Sequence, residues 1–213
     1  MKILYWSIHF LLNGYMRTVC RLEMRGVENI PREGGLIIAS NHIAGADPFL
    51  LGSAVPRELH FMAKEELFRP YFLRLLLPRL NAFPVNRAGF DIEVIRKSID
   101  FLKQGKALIM FPEGTRSRDG QIREAKTGVG MLAHRAGVAI LPTYIENTRK
   151  AWWNLLLRKR LRIAFGRPIE ADWICNRPSS KAGYKEISDE LMDRIKEVKA
   201  RGFDDATLSR SIL

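Results

Sequence analysis

His42 and Asp47 stand five residues apart in the stretch Asn41-His42-Ile43-Ala44-Gly45-Ala46-Asp47, directly after the apolar run Leu36-Ile37-Ile38-Ala39-Ser40. At the exit of a buried strand, that spacing can hold an imidazole against a carboxylate. The pair makes His42 a proton acceptor of fixed tautomer, which a general base requires. Asp47-Pro48 also has the form of a helix start, with Asp as N-cap and Pro at the first helical position. The same residues therefore admit a structural reading in which Asp47 only caps a helix over Phe49 to Val55. A second apolar run, Ala107-Leu108-Ile109-Met110, ends abruptly in Phe111-Pro112-Glu113-Gly114-Thr115-Arg116-Ser117. There the strand fixes the backbone, Gly114 lets the chain turn, and Glu113 and Arg116 project at the mouth. In a sheet with helices on its faces, ligands bind beyond the carboxyl ends of the strands, the place both motifs occupy.

The NH-x4-D spacing near residue 41 and FPEGTRS near residue 111 resemble the glycerolipid acyltransferase family, specifically the 1-acyl-glycerol-3-phosphate (lysophosphatidate) acyltransferases. Asn81-Ala82-Phe83-Pro84-Val85-Asn86-Arg87 resembles the family block that ends in a phosphate-binding arginine, and Ile140-Leu141-Pro142-Thr143 resembles its last block, a strand with a central proline. The likeness runs from about residue 20 to residue 170. Family members usually carry glycine where Asn81 stands and a hydrophobic residue rather than Pro84. The resemblance implies transfer of a fatty acyl group from acyl-CoA or acyl carrier protein to the free hydroxyl of lysophosphatidate, giving phosphatidate for phospholipid synthesis. It implies work at the cytoplasmic face of the cell membrane by a peripheral or monotopic enzyme, with no cofactor and no metal. It assigns Glu113 a hydrogen bond from the acceptor's glycerol and Arg116 its phosphate, with Gly114 and Thr115 in the same binding block. A salt bridge from Glu113 to an arginine, shaping the loop, is the plainer alternative.

Moving an acyl group from a thioester to a hydroxyl needs deprotonation of the hydroxyl, correct placement, and stabilisation of the oxyanion. In this reading Nε2 of His42 takes the acceptor's proton while Asp47 holds the other ring nitrogen, help typically worth about 10²–10⁴-fold. His9, His60 and His134 lie in segments readable as anchor, strand and helix. No serine or cysteine sits beside His42 as a nucleophile should; Ser40 is two residues upstream and directed elsewhere, so direct transfer is expected rather than an acyl-enzyme. Backbone N–H groups are the expected oxyanion donors. A phosphorylated acceptor needs fixed cations, and Arg87 and Arg116 offer planar forks that match phosphate oxygens. Lys64 at a strand exit and Lys126 before a helix start are secondary candidates.

Those residues must be positioned by a chain of 213 residues, long enough for one domain with a substantial core. Formal net charge is +12, which favours an anionic partner: anionic lipid, a phosphorylated substrate or nucleic acid. The two cysteines, Cys20 and Cys175, read as small buried hydrophobes. Ile3 to Met16 is too short and too interrupted by Ser7, His9, Asn13 and Gly14 to span a bilayer. It suits a helix lying in the membrane interface, so residues 1–18 are assigned as a membrane-associating segment and 19–213 as the acyltransferase domain. Strands are expected at Val19 to Gly26, Leu36 to Ser40, His60 to Ala63, Ala82 to Asn86, Ala107 to Phe111, Val138 to Ile145 and Leu161 to Phe165. Helices are expected at Pro48 to Val55, Asp91 to Gln104, Thr127 to Ala136 and Tyr184 to Ala200. This alternation gives a single α/β domain, its sheet mostly parallel or mixed and flanked by helices.

Two segments interleave arginine with large apolar groups. Phe68 to Arg79 reads equally as a core helix with a charged face or as a functional element; Arg149 to Arg160, with Trp152-Trp153, reads as a membrane-contact loop. The expected partners are thus a thioester donor, lysophosphatidate and an anionic membrane surface, with another lysophospholipid as the alternative acceptor. A metal-dependent phosphoesterase using Asn41, His42 and Asp47 would lack the remaining ligands of a first shell. A basic nucleic-acid-binding domain would leave both strand-exit motifs unexplained.

Overall fold

Short aliphatic runs form the middle of a seven-stranded sheet in the order β1-β7-β6-β2-β5-β3-β4. The strands are β1 (Glu23–Arg25), β2 (Leu36–Ser40), β3 (Leu59–Lys64), β4 (Ala82–Val85), β5 (Ala107–Met110), β6 (Ala139–Glu146) and β7 (Arg162–Phe165). This computed structural model describes residues 2–85, 92–150, 160–201 and 203. Neighbours run parallel except β6 and β7, so the sheet is mixed. All five residues of β2 are buried, as expected of a strand covered on both faces. Alternation divides them: Ile37 and Ala39 join Leu108, Ile140 and the C-terminal helix Lys181–Arg201 in one core. Leu36 and Ile38 join Ile109, Leu141, Leu50 and Leu51 in the other. Leu36 is opposite both Ala107 and Ala139, so β5, β2 and β6 run in step and deliver their carboxyl ends to one edge.

The helices α1 (Lys2–Thr18), α2 (Asp47–Ala54), α3 (Tyr71–Arg79), α4 (Ile92–Lys103) and α5 (Gly128–Ala136) match the expected periodicity within a few residues. Asp91, the expected cap of α4, lies outside the described residues, as does the Trp152-Trp153 pair. β1 is shorter than expected because α1 runs on to Thr18 and leaves Val19 exposed. A short helix, Ala171–Cys175, had no periodic signal to announce it. Of the cysteines, Cys175 differs from expectation, exposed at the end of its short helix, while Cys20, two residues past α1, is half-buried against the core that holds Leu36 and Ile38.

The two departures from the family pattern have local explanations. Asn81 has φ 61, a left-handed conformation that glycine adopts freely and asparagine tolerates. Pro84 lies on β4, the edge strand, where a missing N–H leaves no ladder bond unmade. Pro142 is in a central strand, but Ile140 directs its N–H to Ile169, and the amide position two residues on faces the stretch where the chain has left the ladder between Phe165 and Ile169.

α1 is docked by its polar side. Tyr5, His9 and Asn13 are four residues apart and so share one helical stripe. The Tyr5 hydroxyl accepts from Leu59 N at 2.9 Å, His9 Nδ1 lies 2.8 Å from Gly52 O, and Asn13 Nδ2 donates to Ser53 O. Ile3, Phe10 and Leu11 face outward at 84, 69 and 74% exposure. No helix among the described residues is long and apolar enough to cross a membrane.

Candidate active site

The chain leaves β2 at Asn41, whose side-chain amide donates to Ile145 O at 3.0 Å while its oxygen accepts from Ile145 N at 2.8 Å. This two-point clasp fastens the exit of β2 to β6 and fixes where the next residue starts. His42 follows, 7% exposed, with its ring stacked on Phe111 from the exit of β5 at 4.0 Å between centroids. Nδ1 meets Asp47 Oδ2 at 2.7 Å. The same oxygen accepts the amides of Ile43 and Ala44, each at 2.8 Å, and Oδ1 accepts the Thr148 hydroxyl at 2.5 Å. Asp47 is fully buried as the first residue of α2, and α2 has no side-chain cap. The structure therefore decides against the cap reading: the carboxylate turns back to the loop and the imidazole. A carboxylate in the first turn of a helix is favoured there by the macrodipole. With Nδ1 held, Nε2 is the free ring nitrogen, and it makes no hydrogen bond among the described residues.

The second motif closes over the first. Ser117 N donates to His42 O at 2.7 Å, and Gly114 N to Phe111 O at 3.0 Å, with Gly114 at φ +70 where a side chain would be strained. Glu113 is 5% exposed; Oε1 accepts the amide of His42 and Oε2 that of Arg123, both at 3.3 Å. Burial raises its pKa, against the pull of those two amides. Each of its oxygens thus accepts one main-chain amide, and no ion pair to it exists among the described residues. Glu113 ties the loop after β2 to the loop after β5, and does so through main-chain amides rather than through an arginine pair.

Arg116 is exposed and lies over the His42–Asp47 loop: a Cβ placed on Gly45 would come within 3.6 Å of Arg116 Nη1. Lys126 curls back onto Gly114, its Nζ 3.0 Å from where a Cβ would be. Thr115 is exposed beside them. Lys64 ends β3, two strands from β2 and so about 10 Å along the same edge. Arg87 lies outside the described residues. Sequence reasoning passed over Thr148 and gave Arg149 to the membrane-contact segment, whereas Arg149 donates to Ser117 O at 3.1 Å. Both follow β6, which the register sets beside β2; a hydroxyl and a guanidinium at that exit were the available signal. Ser40 is buried and donates to Asn41, so it offers no nucleophile to His42. Asp47 already carries four donors, a set suited to orienting an imidazole rather than ligating a metal.

A mixed α/β sheet with titratable groups gathered at the carboxyl ends of its central strands makes this chain, as a class, an α/β enzyme domain. The model of the Acyltransferase family matches residues 21–146, and the chain belongs to that family. It is 28% identical over 173 residues to the 1-acyl-sn-glycerol-3-phosphate acyltransferase of Bacillus subtilis, covering 81% of this chain and 85% of that protein. A protein of the same name from Borreliella burgdorferi is 33% identical over 130 residues, 60% of this chain and 52% of its own, so the chain spans about half of that longer relative. The crystal structure of the 1-acyl-sn-glycerophosphate (LPA) acyltransferase PlsC from Thermotoga maritima matches with a TM-score of 0.72 at 27% identity, covering 94% of this chain and 81% of that one.

Proposed function

We propose that this acyltransferase converts 1-acyl-glycerol-3-phosphate to phosphatidate, taking the fatty acyl group from acyl-CoA or acyl carrier protein with His42 as general base. The observation that carries the reading is the buried His42 Nδ1–Asp47 contact of 2.7 Å, which leaves Nε2 for the acceptor. The acceptor oxygen attacks the thioester carbonyl as its proton passes to Nε2. Asp47 stabilises the imidazolium, and the tetrahedral intermediate collapses by expelling the thiolate, which takes the proton back from Nε2. Arg116, over the His42–Asp47 loop, meets the acceptor's phosphate together with Arg87; Lys126 and Lys64 add positive field, and Gly114 and Thr115 line the entry. Glu113 keeps the two loops in register.

Residues 1–18 hold the enzyme on the membrane and 19–213 carry out transfer. The inward polar stripe of α1 leaves Ile3, Leu4, Phe10 and Leu11 exposed, the reverse of a soluble surface helix, and this supports an interfacial helix. In this reading the surface it meets is the cytoplasmic face of the cell membrane. Net charge of +12 adds attraction to anionic lipid. The test is incubation with lysophosphatidate and acyl-CoA or acyl carrier protein thioester, with and without chelator, scoring phosphatidate and free thiol. Phosphatidate formed regardless of chelator is expected. Faster transfer to another lysophospholipid would change the acceptor, and loss of activity with chelator would favour a metal enzyme.

A further inference from the structure

Helix α3 is apolar on both its sides. Leu77 is the buried residue of the helix, and Leu80 just beyond its end is buried as well. On the outer side, Leu67 in the preceding turn and Tyr71, Phe72 and Leu75 are 47, 72, 69 and 41% exposed. Within the helix, positions 71 and 75 are four apart and 72 is three before 75, so Tyr71, Phe72 and Leu75 form one stripe, with Leu67 exposed in the turn before it. Arg69, Arg74 and Arg79 are exposed among them, and no aspartate or glutamate occurs from residue 67 to residue 90. Such a stripe on a chain of this charge calls for an occupant that is apolar beneath and anionic above.

We infer that α3 is a second membrane contact, lying in the headgroup boundary of an anionic bilayer with Tyr71, Phe72 and Leu75 immersed and Arg69, Arg74 and Arg79 on lipid phosphates. The inference rests on the membrane-surface reading above and deepens it. A bilayer supplies both chemistries in one plane, and arginines beside immersed apolar groups can reach back to the phosphates. Chain order gives the contact a use. α3 links β3, which ends in Lys64, to β4, which runs beside it with Lys64 opposite Val85 and leads toward Arg87. The helix therefore spans the segment between two cations proposed for the acceptor's phosphate. A lone surface helix lets a protein roll about its axis, and a second contact removes that freedom.

The experiment uses the full chain with the triple substitution Tyr71→Ser, Phe72→Ser, Leu75→Ser, beside Phe10→Ser, Leu11→Ser on α1. Co-sedimentation with vesicles of phosphatidylcholine, with and without phosphatidylglycerol, gives partition coefficients; thermal melting, gel filtration and turnover of a short-chain, micelle-free acceptor are measured alongside. Burying one large apolar side chain is worth about tenfold or more, so the α3 triple should lower partition by at least about tenfold with melting and short-chain turnover unchanged. Arg74→Glu, Arg79→Glu should lose binding chiefly on the anionic vesicles. An α3 triple that sediments like wild type, while the α1 variant does not, overturns the inference and leaves the membrane reading standing. A wild-type chain that ignores vesicles altogether sinks the membrane reading itself. If the triple instead converts a lipid-free dimer to monomer without changing partition, the stripe is a protein interface and the inference fails.

Discussion

Replacing Asp47 by asparagine isolates charge from geometry, because of how the two oxygens are used. Oδ2 takes three donors, His42 Nδ1 and the amides of Ile43 and Ala44, whereas Oδ1 takes only the Thr148 hydroxyl. An asparagine can set its carbonyl where Oδ2 stood and keep all three, with its amide donating to the Thr148 oxygen. The loop should survive, and melting should shift by no more than a few degrees. What disappears is the negative charge, fully buried and 2.7 Å from the ring, that stabilises the imidazolium. A hydrogen bond to a charged group contributes about 1.5–3 kcal/mol, so turnover should fall about 10- to 150-fold with substrate affinities little changed. Asp47→Ala behaves differently: two amides of a half-buried loop lose their acceptor, at about 1 kcal/mol each, and the variant should melt lower than Asp47→Asn. Steady-state kinetics with lysophosphatidate and acyl-CoA, paired with thermal melts, separates the cases. Wild-type turnover in Asp47→Asn would refute the charge argument.

Thr148→Val should lower turnover about tenfold with unchanged affinity, and Thr148→Ser should restore it, because the hydroxyl on Asp47 Oδ1 adds to the two loop amides in holding the carboxylate plane toward the ring; equal loss in both variants would mean a packing effect. Arg116→Ala should raise the acceptor's KM at least tenfold and leave the donor's nearly unchanged, and a rise in the donor's KM alone would reassign the residue to the thioester's phosphates. Burial, with Lys106 adding to it, pushes His60 down from 6.5 to about 4. Between those values the unfolded chain binds a proton that the folded chain refuses, so stability is full above about pH 6.5 and is lost as pH falls toward about 4. The loss should be on the order of 2 kcal/mol after discounting for solvent, and His60→Leu should flatten it in denaturant titrations across that range.

What could be read from the sequence was what lies close along the chain. His42 and Asp47 share one loop, so their pairing needed only a strand exit, and FPEGTRS named its own cation. Whether Asp47 capped a helix or held the ring could not be read, because both fates begin with the same Asp-Pro; Thr148, 101 residues away, joins Asp47 only once β6 is known to flank β2. The main-chain partners of Glu113 could not be read either: one is the amide of His42 in the loop after β2, the other that of Arg123 further along its own loop, and main-chain donors leave no mark in the sequence. The N-terminal helix shows the opposite failure. His9 and Asn13 looked like interruptions of an apolar run, yet they are the side that docks, and Ile3, Phe10 and Leu11 face out with Ser7 among them. Composition could say that the helix was amphipathic but not which face the fold would take.

The central claim is that Nε2 of His42 removes the acceptor's proton. The most direct measurement is single-turnover formation of phosphatidate by His42→Ala at saturating lysophosphatidate and acyl-CoA, with binding of both substrates checked separately. Loss of at least about 10²-fold in rate, with binding and melting near wild type, is the predicted result. A variant that binds both substrates and still turns over at the wild-type rate would contradict the account.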